Sequence, residues 1–294
     1  MKTKITVVGS VNMDLVTEAE VPPKLGETIL GSRFSLLPGG KGANQAVAAA
    51  RLGADVALFA CVGEDVFGER ALANLRSEGV RTEAVRIVSG ETTGTAAITV
   101  TNGENSIIVV PGANARLSDA DIHRAEAVLR ESAVVLLQLE IPMAAVLAAA
   151  RTAKAAGAIV ILNPAPYRPL PDELLAAVDF LTPNEHEFEA MRRSGLTKSI
   201  AAKTIVTKGK NGAQYCDGAK HVDVPAYSVK AMDTTGAGDV FNAALAVALA
   251  EGRPLADAVK FANAAGALSV TKRGAQTSAP YLEDVLRFLE NGSL

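Results

Sequence analysis

The sequence predicts an α/β fold: a doubly wound, largely parallel sheet flanked by helices, Rossmann-like, with a small projecting β-sheet. Short apolar runs rich in β-branched residues alternate with alanine-rich segments of helical period. The apolar runs show no polar alternation, which is typical of strands covered by helices on both faces. Two stretches, 14–40 and 92–112, lack a helical period and therefore interrupt this alternation.

Six segments have the length and composition of buried strands. They are 5–10, 55–60, 134–140, 158–163, 179–183 and 204–209. Segments of helical period lie between the strands and dominate the last third of the chain. They are 44–52, 66–79, 118–132, 142–157, 238–252, 254–270 and 281–291. Ser118 and Asp121 form a potential capping box, and Gly79 and Gly157 stand where helices end.

The two exceptional stretches are rich in Thr, Val and Ile, and Asn102-Gly103 is typical of a tight hairpin. Both stretches leave the predicted core and return to it. We predict that they pair as one small sheet, a candidate lid or dimer surface, rather than forming two separate surface excursions. The remaining ranges, 1–13, 41–91 and 113–294, then form the core.

Charge and composition narrow the class of ligand. The 294 residues are 49% hydrophobic and carry 29 Lys and Arg against 32 Asp and Glu, with no long run of one sign. Neither nucleic acid nor a membrane surface is therefore an expected partner. The N-terminal apolar run is too short for a signal peptide, and Cys61 and Cys216 form no CxxC pair. We expect a cytoplasmic protein that binds a small molecule.

Residues 233–245, DTTGAGDVFNAAL, combine a helix start with two glycines and an aspartate. Glycine costs about 0.8–1 kcal/mol relative to alanine inside a helix, so Gly236 and Gly238 suggest a ligand close to the backbone. The backbone N–H groups could face a phosphate while Asp239 faces a hydroxyl. The alternative is an ordinary helix start that favours an acidic residue.

Polar residues also follow predicted strands, where ligands lie in open α/β sheets. Asn12, Asp14, Glu140 and Asn163 occupy such positions. The residues around Lys41 lack both the P-loop and the GxGxxG spacing. A glycine-rich turn that presents Lys41 and Asn44 to a polyol fits this segment, as does a purely structural turn.

Asn184 and Glu187 would share one face of a helical turn and suit an oxygen-rich Mg²⁺ site, or alternatively a helix cap. None of the three histidines is spaced with Cys or Asp as in a transition-metal site. The sequence also lacks the GxSxG motif that would indicate a serine hydrolase.

Six motifs stand in the order found in the ribokinase family of carbohydrate kinases, and the likeness extends nearly end to end. They are GSVNMDL, PGGKGANQAVAAARLGADV, NPAP, TPNEHE, VTKGKNGA and DTTGAGDVFNAAL. The chain resembles this family, which implies ATP-dependent phosphorylation of the 5-hydroxyl of D-ribose and a dimer joined through the lid. A kinase for deoxyribose, a nucleoside or another furanose stays open, as does a non-catalytic sugar or nucleotide sensor. A nicotinamide dehydrogenase is disfavoured by the missing fingerprint.

The resemblance also implies roles for individual residues. Asp239 matches the catalytic base, and Gly236, Ala237 and Gly238 match the anion hole. The sugar-contacting positions are Asn12, Asp14, Gly40, Lys41, Asn44, Glu140 and Asp239. The nucleotide-binding positions are Asn184, Thr207, Gly209, Gly238 and Asn263, and Glu187 acts indirectly on Mg²⁺. A monovalent cation, usually potassium, corresponds to Asp233, Thr235, Ser269, Lys272, Gly274 and Ser278.

Two further expectations follow from the motifs. The position of Asp239 at a helix N-terminus should lower its pKa and keep it ionised. The segment 188–206 is shorter than in the family and leaves room for little beyond one helix and a strand. This departure concerns the outer edge of the nucleotide side.

Overall fold

The computed structural model describes residues 2–102, 104–124, 126–195, 197–218 and 220–291. The strands are, in chain order, β1 (Lys4–Val8), β2 (Asn12–Glu18), β3 (Arg33–Gly39), β4 (Asp55–Gly63), β5 (Val85–Val88), β6 (Gly94–Thr101), β7 (Glu104–Val110), β8 (Val134–Leu137), β9 (Ile159–Leu162), β10 (Phe180–Leu181), β11 (Ile205–Thr207), β12 (Ala213–Asp217) and β13 (Lys220–Val224). The α-helices are α1 (Lys41–Arg51), α2 (Val66–Ser77), α3 (Asp119–Arg124), α4 (Glu126–Arg130), α5 (Met143–Ala155), α6 (Asp172–Ala177), α7 (Glu185–Arg193), α8 (Lys198–Ala201), α9 (Ala237–Ala250), α10 (Leu255–Ser269) and α11 (Leu282–Asn291).

The central sheet has the strand order β10-β9-β8-β1-β4-β5, and each of its pairs is parallel. Alternate residues of β1 face opposite sides: Val7 belongs to the apolar cluster that includes residues of α1, α9 and α10, whereas Val8 belongs to the cluster that includes residues of α5. Both faces of the sheet are therefore covered, and the doubly wound prediction is confirmed. The chain order reverses on either side of β1, which places a ligand crevice at the carboxyl end of that strand.

The stretches outside the core pair as a second sheet of order β3-β2-β6-β7, as predicted. Strand β2 runs antiparallel to β3 and parallel to β6, and β6 and β7 form a hairpin. Asn102 has a φ of 51°, which suits a tight turn, while Gly103 lies outside the described residues. Asn12 pairs with both Gly39 and Gly94, so this sheet begins directly above β1.

A third sheet, of order β11-β12-β13, is antiparallel and was not predicted beyond β11. Strands β12 and β13 are short and half-exposed, so they lack the continuous apolar run that identified the other strands. The predicted helix 118–132 corresponds to α3 and α4, which lie on either side of residue 125, a position outside the described residues. The segment 188–206 holds the rest of α7 and a single turn, α8.

Glycines allow the start of α1 to approach the turn that follows β1. A Cβ atom on Gly42 would lie 2.5 Å from the nitrogen of Ser10, and one on Gly40 would lie 2.7 Å from the nitrogen of Asn12. Gly40 also has a φ of 88°, which disfavours other residues. This close approach directs the first turn of α1 toward the first turn of α9. Within the described ranges, the helices are too short or too polar to cross a lipid bilayer.

Candidate active site

The first turns of α1 and α9 meet at the carboxylate of Asp239. Asn44 Nδ2 donates a hydrogen bond of 2.9 Å to Oδ2, and Gln45 Nε2 donates one of 3.0 Å to Oδ1. The Asp239 residue is only 6% exposed. Each carboxylate oxygen therefore has an amide donor, and both donors come from α1.

Burial raises the pKa of Asp239, and the nearby Lys41 ammonium and the two amide donors only partly oppose this effect. The expectation that the helix N-terminus lowers the pKa was wrong, because the loss of water outweighs the helix dipole at this depth. A carboxylate with a raised pKa holds a proton more tightly. Asp239 is consequently a stronger base than an exposed aspartate.

The backbone beside Asp239 is open. Gly238 is exposed, and beyond the adjoining backbone no atom of the described residues lies within 4 Å of the position that its Cβ would take. Gly236 caps α9 with a φ of 76°, and a Cβ on Gly236 would lie 2.8 Å from Ala275 Cα. Ala237 is the first residue of the helix, and its N–H donates to the Thr234 carbonyl oxygen (3.3 Å). The N–H groups that follow in the first turn have no partner within the helix. They are placed to bind an anion.

Lys41 lies among carboxylates at the start of α1. Burial by itself would lower its pKa, but Asp239, Glu140 and Glu187 outweigh burial and raise it. Glu140 Oε2 accepts hydrogen bonds from Ser10 Oγ (2.5 Å) and from the backbone nitrogen of Lys41 (3.0 Å). Lys41 is therefore held as a cation within an acidic cluster.

Asp14 belongs to the same cluster. Burial, together with Glu140 and Asp239, raises its pKa to about 7. A Cβ on Gly39 would lie 2.3 Å from Asp14 Oδ1, so glycine leaves the space that this carboxylate occupies. Nearby, the buried Asn12 accepts a hydrogen bond of 2.7 Å from Asn114 Nδ2. The predicted residues Asn12, Asp14 and Glu140 therefore line the crevice above β1 together with Gly40 and Lys41.

A second group of predicted residues lies at the end of β11. Asn184 caps α7 in a capping box: its Oδ1 accepts from the Glu187 nitrogen (2.9 Å) and its nitrogen donates to Glu187 Oε2 (2.8 Å). The interpretation of Asn184 and Glu187 as a helix cap is therefore confirmed. Asn184 also forms a parallel bridge with Thr207, two residues before the exposed Gly209. The charge of Glu187 helps to raise the pKa of Lys41, so this second group interacts electrostatically with the acidic cluster.

Asn263 has a structural contact on the same side of the molecule. Its Nδ2 donates to the carbonyl oxygens of Val224 (3.0 Å) and Pro225 (3.2 Å), and the residue is buried. It therefore fastens α10 to the end of β13. Its amide nitrogen is already occupied in this arrangement.

The predicted cation-binding segments lie together. Asp233 Oδ2 accepts from the Gly274 nitrogen (2.8 Å), and Oδ1 accepts from the Thr235 nitrogen (2.9 Å). Burial acts to raise the pKa of Asp233, but these hydrogen bonds outweigh it and lower the pKa. Ser269 and Ser278 are buried and donate to backbone carbonyls of their own turns. Lys272 lies in the loop between them.

Metal-binding side chains of the usual kind are not clustered in the part of the chain that the structure describes: it contains no group of three or more His, Cys, Asp or Glu suited to a metal ion. Apart from Asp233, the residues predicted to bind a monovalent cation offer hydroxyl and carbonyl oxygens. Such oxygens suit a weakly hydrated monovalent cation better than a transition metal.

Several polar residues of the site were not predicted from the sequence. Gln45 contacts Asp239 directly, Gln276 contacts Asn44, Asn114 contacts Asn12 and Ser10 contacts Glu140. Two adjacent amides, Asn44 and Gln45, in an otherwise alanine-rich helix are a signal that could have identified Gln45. Gln276 and Asn114 lie in loops, and only the fold brings them to the site.

The raised pKa of Asp14 predicts a pH-dependent stability. Because the folded state binds this proton more tightly than the unfolded chain, the Asp14 contribution becomes increasingly destabilising as pH rises from about 4 to about 7. Asp14→Asn should remove this loss and stabilise the protein at about pH 8 by up to about 4 kcal/mol. Urea unfolding of both proteins across this range measures it. Parallel pH curves for variant and wild type would contradict the assignment.

Known proteins resemble this chain along nearly its whole length. The pfkB family of carbohydrate kinases matches residues 2–282. A ribokinase of Bacillus subtilis is 45% identical over 289 residues, covering 97% of this chain and 99% of the relative. A deoxyribokinase of Salmonella typhimurium is 38% identical over 301 residues, covering 97% of this chain and 98% of the relative.

Solved structures agree with this assignment. An Arabidopsis thaliana ribokinase complexed with ribose and ATP has a TM-score of 0.89 and 36% identity, with 99% of each chain covered. Fold, motif order and identity thus point to the same group of proteins. The chain belongs to the pfkB family of carbohydrate kinases.

Proposed function

We propose that this protein transfers the γ-phosphoryl group of ATP to the 5-hydroxyl of D-ribose and forms D-ribose 5-phosphate. The observation that carries the proposal is the buried carboxylate of Asp239 directly beside the open first turn of α9. Relatives named ribokinase, and the Arabidopsis ribokinase complex with ribose and ATP, support the choice of both substrates.

Asp239 is the general base of the proposed reaction. It accepts the proton of the attacking hydroxyl, and its raised pKa suits this task. The N–H groups of residues 236–238 stabilise the negative charge on the transferring phosphoryl group. Phosphoryl transfer needs positioning and charge stabilisation more than covalent chemistry, so a base and an anion hole on one helix turn supply a central part of what the reaction requires.

The sugar lies in the crevice above β1. Asp14 and Glu140 accept hydrogen bonds from sugar hydroxyls, and Asn12, Lys41 and Asn44 supply further polar contacts. Gly40 lets the backbone before α1 lie against the turn after β1, which brings these residues together. The sheet of β2, β3, β6 and β7 acts as the lid over this crevice. Its closure excludes water, which suppresses ATP hydrolysis.

ATP lies across the end of β11, along Asn184, Thr207, Gly209 and Asn263. The oxygens of Asn184 and Glu187 have the chemistry that Mg²⁺ prefers, and the pKa of Glu187 is raised by burial. Since both side chains also cap α7, Glu187 would act on the ion through water. Magnesium supplies positive charge that offsets the charge of the phosphates.

A monovalent cation such as potassium fits the oxygens around Asp233, Thr235, Ser269, Lys272, Gly274 and Ser278. The hydrogen bond between Asp233 and the Gly274 nitrogen already joins the two segments of this site. The same segments flank Gly236, so a cation here would support the geometry of the anion hole rather than take part in the chemistry.

We also propose a cytoplasmic homodimer joined through the lid. Strand β7 is exposed along its whole length and forms a free edge of its sheet. Ile107, Ile108, Val109 and Val110 are 51%, 70%, 49% and 50% exposed. An apolar edge strand of this kind is a liability unless another chain covers it, and a second copy presents the same surface.

Deoxyribose is the second candidate substrate, because a deoxyribokinase is 38% identical to this chain. We expect ribose to give the higher kcat/KM in an ADP-release assay across pentoses, deoxyribose, hexoses and nucleosides. The acidic cluster offers buried acceptors for hydroxyls, and an acceptor left unpaired by a missing hydroxyl is costly. A preference for deoxyribose would select the alternative, and turnover of neither sugar would reject both.

Asp239→Asn should lower kcat by about 10²–10⁴-fold, because the amide cannot accept the hydroxyl proton. Binding of ribose and ATP, measured by calorimetry, should change little. Asp257→Asn, on the exposed face of α10, is the matched control and should keep wild-type turnover. An Asp239→Asn enzyme with more than about a tenth of wild-type kcat would contradict the assignment of Asp239 as the general base.

Ile108→Glu should weaken self-association by about 30-fold or more, since a charge in an apolar contact must be desolvated. Sedimentation equilibrium of both proteins measures the change. Leu286→Glu, an exposed apolar position on α11, is the control and should leave the mass unchanged. A wild-type protein that sediments as a monomer at micromolar concentration would contradict the dimer.

A further inference from the structure

Each amide that holds Asp239 is itself held by a second amide. Asn44 Oδ1 accepts a hydrogen bond of 3.1 Å from Gln276 Nε2, while Asn44 Nδ2 donates to Asp239. Gln45 Oε1 accepts one of 2.6 Å from Gln138 Nε2, while Gln45 Nε2 donates to Asp239. Two chains of the same construction therefore end on the two oxygens of one carboxylate.

The order of donors and acceptors in these chains matters, because an amide has one donor end and one acceptor end. A donor placed against the oxygen end of Asn44 or Gln45 forces the NH₂ end toward Asp239. Asp239 then accepts two hydrogen bonds, which favours its ionised form. A reversed amide would present an oxygen to the carboxylate and favour a protonated Asp239.

Gln276 and Gln138, the amides that contact Asn44 and Gln45, are themselves held by surrounding residues. Gln276 Oε1 accepts from Asn74 Nδ2 (2.8 Å), and the Gln276 carbonyl accepts from Arg51 Nη1 (2.9 Å). Gln138 is fully buried, and its Oε1 lies against Gly9, where a Cβ would be only 2.0 Å away. Among the described residues this oxygen has no hydrogen-bond partner, so the only hydrogen bond of the Gln138 side chain is the one to Gln45.

We propose that Gln45, Gln138 and Gln276 are positioning residues that orient two amide donors onto Asp239 and so keep the catalytic carboxylate ready to accept a proton. These three glutamines act through Asp239 and need no contact with substrate. This inference rests on the proposed function, in which Asp239 is the base.

The charged groups that face Asp239 come from four parts of the fold. Lys41 on α1 opposes the effect of burial, whereas Glu140, after β8, adds to it. Asp14 on β2 and Glu187 on α7 are coupled to Asp239 as well. With one cation against three carboxylates, the amide donors are needed to bring the proton affinity of Asp239 into a working range.

The test compares Gln276→Met with Gln276→Glu. The first removes the donor without adding charge, and the second places an acceptor against Asn44 Oδ1 and favours its reversal. Both should move the acidic limb of the kcat–pH profile upward, by about 1 pH unit for Met and about 2 for Glu. Gln45→Met, which removes a donor from Asp239 itself, should shift the limb in the same direction.

Gln214→Met is the matched control, because within the described residues the Gln214 side chain donates a hydrogen bond only to the exposed Asp223 on the β12–β13 hairpin. Its profile should overlay that of the wild type. Circular dichroism and the KM for ATP establish that each variant is folded. Equal losses of kcat at every pH, with an unmoved limb, would show a merely structural role and overturn the proposal.

A second readout separates this inference from the choice of substrate. The carboxyl carbon of Asp239, labelled with ¹³C and assigned by its absence in Asp239→Asn, can be titrated by NMR without any turnover. Its midpoint should rise in Gln276→Met and Gln276→Glu even if ribose is not the substrate. An unchanged midpoint in both variants would reject the orienting role, whatever sugar the enzyme phosphorylates.

Discussion

The contact between the carboxylate of Asp239 and the amides of Asn44 and Gln45 is the interaction on which the rest of the site depends. It joins the first turns of α1 and α9, which are separated by nearly two hundred residues in the sequence. In the proposed reaction, the sugar-binding residues lie on α1, on β2 and after β8, whereas the anion hole belongs to α9. This single contact would therefore align the acceptor hydroxyl with the phosphoryl group.

The geometry of that contact follows from the backbone. Gly40 and Gly42 allow α1 to approach the turn after β1 more closely than any side chain would permit. Gly236 does the same for α9 against Ala275. These glycines have a common consequence: two helix N-termini point into one crevice. Such ends are suited to bind anions and to orient acidic groups.

Much of this arrangement could be predicted from the sequence. The central sheet followed from continuous apolar runs, and the second sheet from two stretches of similar Thr-rich and Ile-rich character. The β12–β13 hairpin was not predicted, because its strands are five residues long and half-exposed and therefore show no strong hydrophobic pattern. Local motifs identified Asn44 and Asp239, but Gln276 and Asn114 are brought in only by tertiary structure, which a linear pattern does not encode.

The wrong expectation about the pKa of Asp239 has the same origin. A helix N-terminus is visible in a sequence, whereas burial by neighbouring elements is not, and here burial is the larger effect. The site thus holds a carboxylate that is costly to ionise, beside one buried cation and four ordered amides. Removing water makes Asp239 a stronger base, and the amides limit how far its pKa can rise. A base used on an alcohol at neutral pH requires both influences, because a fully solvated aspartate is too weak and an unsupported buried one would remain protonated.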